Sequence, residues 1–183
     1  KNLLREVAEE LDLDIEKESD LVTLAQYHVN SKRNNRAKIN QVIIDEFSKD
    51  ISITENHRIL ARLPISTYWT TNYDNLIEKS LSEIRKVVDI KHEPIQLLTS
   101  LRKRDVVIYK MHGDYLHPTK AIIIKDDYEK YLLNNGEFYT ALRGDLLTKK
   151  FLFLGFSFAD PNIDYILGKI RASYSEHHQT HYC

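Results

Sequence analysis

Cysteine is nearly absent from this sequence: Cys183, at the chain end, is the only one among 183 residues. A single thiol excludes an intrachain disulfide and any zinc site built on several cysteines. That scarcity fits a reducing, cytoplasmic setting. Long apolar runs are also missing. The longest, Phe151 to Phe156, is strand-sized and far short of the roughly 20 residues that span a bilayer. The opening Lys1-Asn2-Leu3-Leu4 leads into an acidic helix pattern without the features of a signal peptide. Charge of one sign does not dominate either. The formal net charge is −1, so bulk electrostatics give no reason to expect nucleic-acid binding. The one compact basic run, Arg102-Lys103-Arg104 beside Asp105, reads as a surface loop next to a strand. Glycine is scarce. Gly113, Gly136, Gly144, Gly155 and Gly168 are the five present, and no Gly-x-x-x-x-Gly-Lys sequence occurs, which sets aside a P-loop NTPase. Internal repeats, low-complexity tracts and Pro/Gly/Ser linkers are absent too.

What is present suits one soluble globular domain: 42% hydrophobic and 29% charged residues in a chain of domain length. The first 64 residues read as helices. Leu3, Leu4, Val7, Ala8 and Leu11 share one helical face, as do Leu21, Leu24, Ala25 and His28 behind the N-cap candidate Asp20. Ile39, Val42, Ile43, Glu46 and Phe47 mark a third helix. Thr54 with Ile59, Leu60 and Leu63 marks a fourth, ended by Pro64. From residue 65 to 183 short apolar or β-branched runs alternate with helices. Strands are expected at Ser66–Thr71, Val87–Ile90, Asp105–Lys110, Ala121–Lys125 and Phe151–Gly155, the last as a central parallel strand. Helices are expected at Asp74–Ser82, Asp126–Leu133 and Glu137–Thr148, with another starting at Asp160-Pro161. The alternation predicts an α/β fold: a Rossmann-like, mostly parallel sheet covered by helices, with a helical N-terminal third.

Ligands of such folds sit at the carboxyl ends of strands, so the residues after each strand matter most. Three such ends are polar: Thr71-Asn72-Tyr73-Asp74, Met111-His112-Gly113-Asp114, and Gly155-Phe156-Ser157-Phe158-Ala159-Asp160. Asn and Asp form directional hydrogen bonds to sugar hydroxyls and amides, and a His exchanges protons near neutral pH. Gly155 and Ser157 would let a ribose or phosphate approach backbone beside a helix N-terminus. Each piece also has a structural reading: Asn72 as a turn residue, Asp74 as a helix cap, Asp160 as a helix start. Trp69 beside Tyr68 reads as core. His177, His178 and His181 read as a solvated tail, not a metal site.

In this order the three segments resemble the sirtuin family, and within it the divergent, zinc-free sirtuin-like domains of bacterial defence proteins. Thr71-Asn72-Tyr73-Asp74 is similar to the family's Thr-x-Asn-x-Asp segment, Lys110-Met111-His112-Gly113-Asp114 to its active-site histidine segment, and Gly155-Phe156-Ser157 to its Gly-x-Ser segment. Ile123-Ile124-Lys125-Asp126-Asp127-Tyr128 adds a fourth similarity. The resemblance implies NAD as substrate or ligand. It implies catalytic roles for Asn72, Asp74 and His112, and NAD contacts from Thr71, Gly155, Ser157 and Asp160. Asp114 would orient His112 or cap the next turn. Two departures shape the expectation. The family's Gly-Ala-Gly-x-Ser phosphate loop is missing, as though the chain began just downstream of it and lacked the first strand. The four-cysteine zinc module of the deacylases is missing as well. The expected activity is therefore NAD hydrolysis to nicotinamide and ADP-ribose, without zinc, and weak or lost in this partial domain. A sensor that binds NAD or a nucleotide and regulates a fused partner is the alternative, followed by an NAD-dependent deacylase. A fused effector or sensor domain, a homo-oligomer and a role in bacterial antiphage defence are the implied context, with no membrane or nucleic-acid partner.

Overall fold

A computed structural model describes residues 2–156, 158, 160–174 and 180–183. The residues gather in two compact units, Lys1–Asp127 and Tyr128–Cys183.

In the first unit the helices follow their apolar stripes. A 3-10 turn at Asn2–Leu4 runs into α1 (Arg5–Glu9), followed by α2 (Leu21–Ser31), α3 (Ala37–Phe47) and α4 (Glu55–Arg62). Asp20 caps α2: its carboxylate accepts the Thr23 amide at 2.9 Å, satisfying one of the donors a helix start leaves open. His57 Nδ1 accepts the Thr54 amide at 3.2 Å at the start of α4. Leu63 is already extended, as the residue before a proline prefers. The stripe residues Val7, Ala8, Leu24, Ala25, Ile39, Val42 and Ile43 are buried in one cluster with Ala121, Ile123 and Ile124. Tyr73 and Tyr115 pack against it, so the helical segment supports the loops that carry these two tyrosines.

Three strands, β1 (Thr67–Thr70), β2 (Val88–Lys91) and β3 (Val106–Lys110), pair in parallel in the order β1-β3-β2. Helix α5 (Leu76–Glu83) follows β1. This parallel sheet with its helices has the Rossmann-like α/β character expected. Strand residues alternate faces. Val106 and Ile108 of β3 bury with Ala61 of α4 and Leu81 of α5, and Tyr68, Ile77 and Val88 pack around them. On the other face Trp69 and its register partner Tyr109 stack with ring centroids 4.1 Å apart and planes 18° from parallel.

In the segment expected as a strand at Ala121–Lys125, residues 121–124 are buried but form none, and Lys125 is exposed at the start of a helix. The Ile122 amide donates to the His112 carbonyl at 3.0 Å, and the Ile123 and Ile124 amides both donate to Asp127 Oδ2 at 3.0 Å. Arg36 Nη1 holds both Asp127 carboxylate oxygens at 2.7 Å. The donors a ladder would need are thus taken by a side chain and a loop. The single helix expected at Asp126–Leu133 is two, α6 (Lys125–Glu129) and α7 (Tyr131–Asn134).

In the second unit α8 (Gly136–Thr148) matches its expected start and end closely, and α9 (Pro161–Tyr174) begins where a helix start was expected. Phe151–Gly155 is not a central strand. Its ladder is one parallel bridge between Leu152 and Tyr182, made by Phe153 N to Tyr182 O and Tyr182 N to Phe151 O, each 2.8 Å. Apolar character marks burial in any segment type and names no ladder partner. Here Leu152 and Leu154 stay half exposed.

Candidate active site at the strand ends

Thr70 and Lys110 are register partners at the ends of β1 and β3, and the Met111 amide donates to the Thr70 carbonyl at 2.9 Å. The two loops that follow therefore leave the sheet side by side. They stay joined further on, where the Tyr115 amide donates to the Tyr73 carbonyl at 3.1 Å. The parallel pairing brings Thr71, Asn72 and Asp74 onto the same end of the sheet as His112 and Asp114.

Each residue has a definite setting. Asn72 is exposed, and its backbone N–H donates to Thr70 Oγ1 at 3.0 Å, which shapes the turn. Asp74 is half buried and accepts the Leu76 amide at 3.0 Å, closing the start of α5. Asn75 Nδ2 donates to the Tyr115 hydroxyl at 3.2 Å, and the Tyr73 hydroxyl donates to Ile122 O at 2.6 Å. His112 is 4% exposed and is followed by Gly113, whose φ is +85°. A Cβ at Gly113 would lie 3.1 Å from Ala121 Cα and 3.2 Å from the Lys120 carbonyl. Only glycine takes that conformation and that approach without strain. Asp114 accepts the Leu116 amide at 2.8 Å, so the capping role expected for it is present.

Beneath the two loops lies a residue to which the sequence reading gives no role of its own. Lys110 is fully buried. Its ammonium pairs with Glu78 Oε1 at 2.9 Å and Asp114 Oδ2 at 2.6 Å and donates to the Asp74 carbonyl. Burial works against its charge, but Glu78 and Asp114 outweigh that and raise its pKa. Burial pushes the Glu78 carboxyl up, and the Lys110 charge only partly offsets it. A signal was available: Val106, Ile108 and Lys110 share one face of β3 by period two, and a lysine on a core face requires partners.

The end of β2 contributes a second unforeseen feature. His92 follows the strand directly and stacks on His117, with centroids 4.2 Å apart and planes at 17°. Burial, then repulsion from His117, lowers the His92 pKa. The basic run before β3 is exposed as expected, and Arg104 reaches back to pair with buried Asp89 at 3.0 Å.

The remaining expected contacts lie in the second unit. Gly155 has φ +61° with open space where a side chain would stand. Asp160 accepts the Ile163 amide at 3.1 Å and starts α9. Buried Tyr131 has its hydroxyl pKa pushed up by desolvation and by the Asp160 charge. Ser157, like His177 and His178, falls outside the described residues.

Residues 66–183 match the model of a family described as the SIR2-like domain. Three relatives carry the name NAD(+) hydrolase ThsA. That of Bacillus cereus (strain MSX-D12) is 57% identical over 99% of this chain and 38% of its own length. That of Acinetobacter baumannii (strain 532279) is 53% identical over 100% of the chain and 38% of its length. That of Cytobacillus dafuensis is 50% identical over 100% and 37%. The chain thus spans less than two fifths of the length of the curated relatives it matches.

Proposed function

The chain belongs to the SIR2-like domain family, and from that premise we propose that it serves an NAD hydrolase, releasing nicotinamide and ADP-ribose. One observation carries the reading. The loops bearing Asn72, Asp74 and His112 leave two hydrogen-bonded parallel strands together, in a chain 50–57% identical to proteins named NAD(+) hydrolases.

The reaction breaks the bond between C1′ of the ribose and the nicotinamide nitrogen, whose electron pair leaves with the base. The ribose carbon passes through an oxocarbenium-like state and is captured by water. Asn72 orients that water or the neighbouring ribose hydroxyl, since its amide offers both donor and acceptor. His112 takes the proton that the water gives up, a role that contributes on the order of 10² to 10⁴ in rate. Its burial limits competition from bulk solvent. Asp74 spends one oxygen on the Leu76 amide, and its anionic charge favours the positive charge that develops on the sugar. Thr71 lies along the same loop. Gly155, Ser157 and Asp160 serve the adenosine-side ribose and phosphates. No step in this scheme requires zinc.

The reading extends to bacterial antiphage defence in the cytoplasm, supported by the sirtuin-like motifs, and to an additional sensor or effector segment, supported by the greater length of the relatives. Chromatography of an NAD reaction with the intact protein tests the core of it. Equal amounts of nicotinamide and ADP-ribose are expected. Saturable NAD binding with no nicotinamide released would favour the sensor alternative.

A further inference from the structure

We propose that Lys110 is a positioning residue for this reaction: its buried ammonium fixes the Asn72 loop and the His112 loop relative to each other. The proposal rests on the NAD-hydrolase reading of the site and adds to it a residue that touches no substrate.

The case begins with donor counting. A lysine ammonium has three protons and no acceptor. Three close oxygens receive them at Lys110: the Asp74 carbonyl, Glu78 Oε1 and Asp114 Oδ2, with the Tyr73 carbonyl of the same loop as Asp74 at a longer 3.5 Å. Each oxygen belongs to a different element. Asp74 ends the loop that bears Asn72, Glu78 sits in α5, and Asp114 lies two residues beyond His112. The ammonium is therefore a three-way tie, and two of its three arms hold the loops proposed to carry the chemistry.

Burial turns this tie into a constraint. The Lys110 side chain is 0% exposed, and those of Glu78 and Asp114 are 13% and 8% exposed. Water cannot readily replace any arm, so each pair is held at its contact geometry and an unmade arm would leave a buried charge. The strand provides the lever. β3 is the central strand, flanked by β1 and β2, and Lys110 is its last residue, still paired with Thr70 of β1. Gly113 completes the device. Its positive φ bends the chain and lets Asp114 return to Lys110 while His112 lies between them. Moving a reacting group by about 1 Å can cost on the order of 100-fold in rate. Loss of the tie should therefore appear in turnover more than in NAD affinity.

The test compares Lys110→Met/Glu78→Gln with Leu81→Ala and His112→Ala in the intact protein. The double change removes the buried pair together, so that Glu78 is not stranded as a charge. Leu81 belongs to the buried cluster beneath the same helix α5, and its truncation destabilises without touching the tie. Folded fraction is read by circular dichroism, and kcat and KM for nicotinamide release are expressed per folded molecule. The double variant is expected to lose about 30- to 100-fold in kcat with KM within about threefold. Leu81→Ala is expected to keep its kcat per folded molecule. Where the double variant does not fold, Lys110→Gln, which retains two donors, takes its place and should lose at least 10-fold. Full turnover per folded molecule in the lysine variant, or an equal loss in Leu81→Ala, overturns the positioning role. His112→Ala keeps the two claims apart: if it retains turnover, the hydrolase site itself is misassigned, whatever Lys110 does.

Discussion

Gly113→Ala probes the turn that links the histidine loop to the rest of the site. Two costs add at this position. The backbone stands at φ +85°, and an L-residue in the left-handed region costs about 1–2 kcal/mol. The new methyl would also meet Ala121 Cα at 3.1 Å, the Lys120 carbonyl at 3.2 Å and the Ala121 amide nitrogen at 3.3 Å. All three are backbone atoms, so no side chain can swing away, and crowding of this kind costs about 1–3 kcal/mol. Together the loss comes to about 3 kcal/mol. In a domain of this size each kcal/mol lowers the melting temperature by about 2–4 °C, so the expected fall is about 6–12 °C by calorimetry. Gly144→Ala is the contrasting substitution. It sits inside α8 with nothing within 4 Å of the new methyl, and alanine there should stabilise by about 0.5–1 kcal/mol. A Gly113→Ala protein that melts within 2 °C of the parent would refute the strain and contact reasoning for this turn.

Two further substitutions probe the scaffold. Asp127→Ala leaves the Ile123 and Ile124 amides without their acceptor and Arg36 without its carboxylate. With both charged partners slightly under one fifth exposed, the expected loss is about 2–3 kcal/mol by urea unfolding; a loss below 1 kcal/mol would contradict the role given to this carboxylate. Glu10 responds to acid. Bonds from His28, then Lys32, pull its pKa from 4.5 to about 2. A carboxyl whose folded pKa is depressed contributes stability above its unfolded pKa and loses it as pH falls through the folded value. Glu10→Gln should therefore flatten the decline in urea midpoint between about pH 4.5 and pH 2, and an unchanged slope would count against the pairing.

Much of this architecture is legible in the sequence, because periodicity reports burial directly. The stripe of Ile39, Val42 and Ile43 and the alternation of Val106 and Ile108 each lead to the element found. The rule that parallel sheets bind at their carboxyl ends directs attention to the strand ends that bear Asn72 and His112, and the register of β1 on β3 puts the two loops at one end of the sheet. What escaped depends on partners distant in sequence. The Asp127 carboxylate that takes the amides of Ile123 and Ile124 in place of a ladder is held by Arg36 from 91 positions away. The Phe151 run is apolar without being buried, and nothing in it names Tyr182 as its partner. Lys110 finds Glu78 across 32 positions, and His92 meets His117 only because two loops converge at one edge of the sheet.

The central claim concerns the chemistry of Asn72 and His112, and one assay addresses it: nicotinamide release from NAD by the intact protein and its Asn72→Ala and His112→Ala variants. The two loops are tied by the backbone bonds from Met111 to Thr70 and from Tyr115 to Tyr73, so both variants should keep the parent's circular dichroism spectrum. The account predicts that each loses at least 100-fold in release. Full turnover by either folded variant would contradict it.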